Sequence, residues 1–300
     1  MEYGWMIVSV LLASVNCMIL RSFKNRTVKT SGDSFFFNGA LSAVWILVMT
    51  AWFFLSGDRS ISVGALCFGA VYGVILCLFL FFKNESIASG PVSLTSLIGN
   101  CAFIIATWFG VLYANERVSV FQLVGMALIL GSLFLCINPR KSSERLTSRW
   151  FLYCFCFFLA GGLIGMFYKV FGRSSAASEV NGMMLTASAV SCVCFFLAGL
   201  LISKVKGEER PAIRRGAWRY VLLSGLTGCV YIRLNVSLSA LIPSAVFFPV
   251  ANGGIVVITT IAGALMFREK LNRIQLFGIL VGLVGIVVTG CGEVLWNLIF

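Results

Sequence analysis

Ten stretches of this chain stay apolar for about 20 residues, the length of helix that crosses the hydrocarbon core of a bilayer. They run 4–20, 34–55, 61–82, 88–113, 118–137, 150–171, 182–203, 220–241, 243–267 and 274–291. Lipid offers backbone N–H and C=O groups no partner, so only helices and closed barrels can span it. Barrel strands alternate apolar and polar over about ten residues, whereas these runs are continuous. An all-α polytopic membrane protein is expected. Connections are mostly short, with longer polar ones at 21–33, 138–149 and 204–219, and none has room for a separate soluble domain.

Composition removes several alternatives. Hydrophobic residues fill 59% of the 300 positions and charged residues 11%, with mean hydropathy +0.98; soluble domains average about 25% charged. A net charge of +12 raises the question of nucleic acid in a soluble protein. Here the basic residues sit between apolar runs, where membrane proteins keep their cytoplasmic charge, and no nucleic-acid partner is expected. The eleven cysteines lie almost wholly inside the runs, where Cys acts as a small hydrophobe. With no histidine and no zinc-site spacing, neither metal nor cofactor is expected. His-Glu-x-x-His and Walker signatures are absent too, which argues against an enzyme. The first run lacks a basic leader, so no cleavable signal peptide is expected.

The basic residues also set an orientation. Of 23, 18 fall in the odd-numbered gaps between runs; Arg59, Arg117, Lys169, Arg173 and Arg233 fall on the other side or inside spans. Positive charge stays cytoplasmic. Both termini are therefore expected outside the cytoplasm, with the plasma membrane as the location.

Two segments 153 residues apart read alike. Glu116-Arg117-Val118-Ser119 leads to Gln122 and Gly125, and Glu269-Lys270-Leu271-Asn272 leads to Gln275 and Gly278. Ser119 and Asn272 fit helix N-caps, and Gln122 and Gln275 three residues on complete capping boxes. Glu116 and Glu269 would then lie near the positive end of the helix that follows each. The segments precede spans five and ten, so the halves 1–144 and 145–300 hold five spans each. An odd number makes the second half enter from the opposite side, the inverted repeat of many secondary transporters.

On these motifs, and on the Lys83-Asn84-Glu85-Ser86-Ile87-Ala88-Ser89 joint before span four, the chain resembles the EamA-like, ten-helix members of the drug/metabolite transporter superfamily. The resemblance implies two five-helix bundles around a central cavity, lined mainly by spans three, four, eight and nine with parts of one and six. It also implies cytoplasmic termini, the reverse of what the charges indicate.

Candidate solute contacts follow from polar groups at membrane depth. Span four opens with Gly90-Pro91 and is expected to break at Gly99-Asn100; span nine carries Pro243, Pro249 and Asn252-Gly253-Gly254 at matching places. Asn100 and Asn252 have two readings, ties between helices or amides facing a cavity. Arg233, deep in span eight, suits a carboxylate or phosphate. Lys169, near the end of span six, is expected to snorkel to the headgroups. Tyr72 and Tyr231 are interior enough to line a cavity, and Trp108 on span four joins them as a candidate. Other aromatics near span ends, Tyr168 and Tyr113 among them, read as interfacial belt residues. Asn16 stands where small cationic-drug exporters of the superfamily carry a glutamate, and spans one to four hold no carboxylate, which disfavours proton-for-cation exchange.

The sequence thus points to a secondary transporter, an exporter of a small polar metabolite that is neutral or anionic. A flippase for a lipid-linked carrier is the alternative. The expected partners are the solute and the bilayer. Glycine pairs four apart (Gly69/Gly73, Gly161/Gly165, Gly278/Gly282) fit internal packing of a monomer or a homodimer seam.

Overall fold

The computed structural model describes residues 1–27, 31–55, 60–90, 92–136, 147–207, 215–267 and 272–292. Its elements are α1 (Glu2–Thr27), α2 (Ser31–Leu55), α3 (Val63–Ser89), α4 (Val92–Cys101), α5 (Phe103–Ala114), α6 (Val120–Cys136), α7 (Ser148–Gly172), α8 (Val180–Lys206), α9 (Trp218–Leu241), α10 (Ser244–Phe267) and α11 (Arg273–Gly290). Helices α4 and α5 share span four. Among the described residues, nine spans are long and apolar enough to cross a membrane, and α6 is a shorter tenth. Leu47, Leu112, Phe134, Leu201 and Leu265 point outward over this bundle, an apolar surface suited to lipid.

Local chemistry sets the helix starts. Ser62 Oγ accepts from Ala65 N at α3, and Thr147 from Trp150 N at α7. Before α6, Gln122 Oε1 accepts from Ser119 N at 2.9 Å while Gln122 N donates to Ser119 Oγ at 3.2 Å. Asn272 and Gln275 repeat that box at α11, with Asn272 N donating to Gln275 Oε1 at 3.0 Å. Glu269, and the junction at 144/145, lie outside the described residues.

Three boundaries differ from the sequence expectation. The supposed joint at Lys83–Ser89 is the last part of α3, held by a Lys206–Glu85 ion pair of 2.7 Å to α8. Span four breaks at Ala102, whose N–H bonds Gly99 O at 3.2 Å. Span nine does not break: α10 runs unbroken through Pro249. There Asn252 Nδ2 donates to Phe248 O at 2.9 Å, while Gly253 and Gly254 admit Ile129 and Val10.

The halves are inverted, and the α6–α11 seam shows how. Gly125 faces Thr289 and Gly285, Ile129 faces Gly285, Ser132 faces Gly282, and Leu135 and Cys136 face Gly278. Numbers rise on one helix as they fall on the other, so the pair is antiparallel. A shift of 153 also turns the Gly125–Thr289 contact into Gly278–Cys136, and Ile129–Gly285 into Gly282–Ser132. Contacts that exchange in this way mark a two-fold axis through the seam. Elsewhere α1 packs on α9 and α10 as α7 packs on α3 and on α4–α5.

Candidate functional site

A largely buried ion pair lies at the end of the bundle away from the basic gaps. After α5, Asn115 adopts φ 50, a left-handed conformation that asparagine tolerates better than most residues. The turn carries Glu116 back over α7 and α10. Lys169 Nζ reaches Glu116 Oε1 at 2.9 Å, and the two are 4% and 15% exposed. Glu116 Oε2 accepts from Ser244 N at 2.6 Å, and Glu116 Oε1 lies 3.3 Å from Ser244 Oγ. Lys169 Nζ also donates to Ile242 O at 3.0 Å.

Pro243 explains this geometry. It separates α9 from α10, so the carbonyl end of one helix lies beside the amide end of the next. An ammonium suits the first and a carboxylate the second. Gly110 keeps the space open, since a Cβ there would fall 1.9 Å from Ser244 Oγ. Nearby, Arg173 Nη2 donates to Ala114 O at 3.2 Å, and Glu179 Oε2 accepts from Ser62 N at 2.7 Å. Together these contacts tie the two halves at this end.

Toward the membrane interior, phenols converge. The Tyr72 and Tyr168 hydroxyls are 3.0 Å apart, and Tyr72 stacks on Phe167 with centroids 5.0 Å apart. Tyr231 packs against the same cluster. Spans three, six and eight therefore each send a tyrosine inward.

The other candidates are dispersed. Asn16 Nδ2 donates to Ser224 O at 2.7 Å and lies 2.9 and 3.0 Å from Ser224 Oγ and Thr227 Oγ1, joining α1 to α9. Beside it, Trp45 Nε1 is buried without a hydrogen-bond partner among the described residues, as is Thr107 Oγ1 on α5. Asn100 is half-buried at the α4–α5 break. Arg233 lies two residues from Tyr231, about 200° around the helix, and so turns away from the tyrosines. Its Nε donates to Asn181 Oδ1 at 3.0 Å and its guanidinium lies 4.7 Å over the Trp52 ring. Trp108 faces outward, 50% exposed. A groove of about 330 Å³ opens sideways between α3, α5 and α7, lined by apolar groups including Phe68, Val71, Ile75, Leu163 and Phe167.

Three sequence expectations change. Lys169 does not snorkel, because a carboxylate and a helix-end carbonyl meet it inside the protein. Tyr168 is a core residue with a phenol partner and not a belt residue. The Glu116 carboxylate serves the N-terminus of α10, not that of α6. Gln122 and Gln275 stand in their capping boxes, and Gln275 Nε2 also donates to Cys136 O at 3.1 Å.

A profile of the EamA-like transporter family matches residues 148–291, the second half. The second half of the chain is EamA-like. A solved crystal structure superposes on 96% of this chain and 95% of its own, with TM-score 0.75 at 13% identity. At that identity the likeness concerns the fold, and it extends over both halves. A search of curated proteins returns no match. The chain is thus a multi-pass membrane protein whose second half matches a transporter family of the drug/metabolite type.

Proposed function

We propose that this protein is a secondary transporter that exports a small polar metabolite, neutral or anionic, across the plasma membrane by alternating access. The basic end is cytoplasmic, so the Glu116–Lys169 end faces outside. The observation that carries the reading is the pairing of oppositely inserted halves with phenols that meet between them. Two such halves can rock about their shared seam and expose the same groups to either side. Tyr72, Tyr168 and Tyr231 supply hydrogen bonds to a solute without carrying charge. Asn100 adds an amide, and the Trp45 indole adds a donor that has no partner among the described residues.

Purified protein in proteoliposomes tests this after a thermal-shift screen against amino acids, nucleosides, sugars and organic anions. Saturable flux of a stabilising solute is expected, and Tyr72→Phe with Tyr231→Phe is expected to raise its KM. Flux of no soluble compound would overturn the reading. One observation favours a flippase instead: the apolar groove between α3, α5 and α7 opens toward lipid and could house an acyl or prenyl chain. Scrambling of a labelled lipid-linked sugar, with no solute flux, would select that reading.

A further inference from the structure

Lys169, the first amide of α10 and the Ser244 hydroxyl all converge on one carboxylate. The donors belong to the second half, on α7 and α10, and the carboxylate belongs to the turn after α5 in the first half. Lys169 is only 4% exposed and is also pinned to Ile242 O. If the halves part at this end, Glu116 leaves with its own half and the donors stay behind. A buried ammonium stripped of its counter-charge is strongly disfavoured. Arg173 caps the end of α7 one turn beyond Lys169 and adds positive charge, and the carboxylate of Glu179 is engaged by Ser62 N. Opening therefore needs another anion on Lys169.

We propose that Glu116 is a resident stand-in for the solute's own anionic group. When the 115–119 turn withdraws, a carboxylate or phosphate of the solute takes its place on Lys169 Nζ, Ser244 N–H and Ser244 O–H. This inference rests on the transporter reading and narrows it to anionic solutes. It makes opening of the outer end depend on a bound anion, because only the anion replaces the lost ion pair. Gly110 is part of the same site, since any side chain there would displace the Ser244 hydroxyl.

Chemical rescue provides the test. Purified Glu116→Ala is expected to melt several degrees below the parent protein. Acetate or inorganic phosphate, titrated at constant ionic strength, is expected to restore the melting temperature with saturation. The parent protein and the Glu116→Ala/Lys169→Met double variant are expected to show no such response. A folded Glu116→Ala that no anion stabilises would overturn the proposal, as would an equal response from the double variant. Restoration by phosphatidylglycerol micelles alone would also overturn it, by assigning the site to lipid headgroups. If Glu116→Ala does not purify in chloride, extraction in acetate replaces the titration: recovery of monodisperse protein supports the stand-in, and equal loss in both buffers opposes it. The two readings fail separately. Anion rescue without solute flux in the parent protein removes the transporter, whereas flux without rescue removes the stand-in.

Discussion

Lys169 and Asn16 stand 153 residues apart, the same interval that relates the two capping motifs, yet the two halves use this station differently. In the second half, α7 presents an ammonium that joins a carboxylate and the ends of α9 and α10. In the first half, α1 presents a neutral amide that bonds Ser224 and Thr227 on α9. The α6–α11 seam, by contrast, obeys the two-fold axis contact by contact. The backbone plan is symmetric and the chemistry is not. Two ends held by different contacts can respond to different conditions, because ionic contacts depend on charge balance and amide contacts do not.

The largest effect should come from breaking the symmetric background. A Cβ at Gly125 would lie 2.2 Å from Thr289 Oγ1, 2.7 Å from Thr289 N and 2.9 Å from Gly285 O. Backbone cannot yield to it, so Gly125→Leu is expected to abolish monodisperse protein on size exclusion. Next comes the charged station. Lys169→Ala strands the Glu116 carboxylate and should destabilise by about 3–5 kcal/mol in denaturant titrations. Adding Glu116→Ala should bring a further loss smaller than that of Glu116→Ala alone, the sign of a coupled pair. Asn16→Ala should cost less, about 1–3 kcal/mol for the groups left unpaired. Equal losses at Lys169 and Asn16 would erase the distinction between the two ends. Smallest of the set is Tyr168→Phe, expected to lower stability by about 1 kcal/mol through loss of one phenol–phenol hydrogen bond.

The sequence exposed whatever is local. Ten apolar runs announce ten spans, because lipid demands a continuous apolar surface. Ser119 with Gln122, and Asn272 with Gln275, act over three residues and were readable as capping boxes. Partners far apart in sequence were not. Lys169 meets Glu116 across 53 positions, and Glu116 meets Ser244 across 128, so no periodic pattern links them. That Glu116 and Lys169 fall toward the same face of the membrane is the available hint. Arg233 lies within α9, and its direction depends on Asn181 and Trp52 from other helices. The continuity of α10 is hidden in the sequence for a related reason. Pro249 and Asn252-Gly253-Gly254 look like interruptions until Ile129 and Val10 fill the glycine gaps.

Opposite insertion of the halves is tested most directly by placing single cysteines at Ser119 and Asn272 in a variant lacking the eleven native cysteines. Intact cells would then be treated with a membrane-impermeant maleimide. Ser119→Cys should react in intact cells, and Asn272→Cys only after the membrane is opened. Reaction of both from the same side would contradict the inverted architecture.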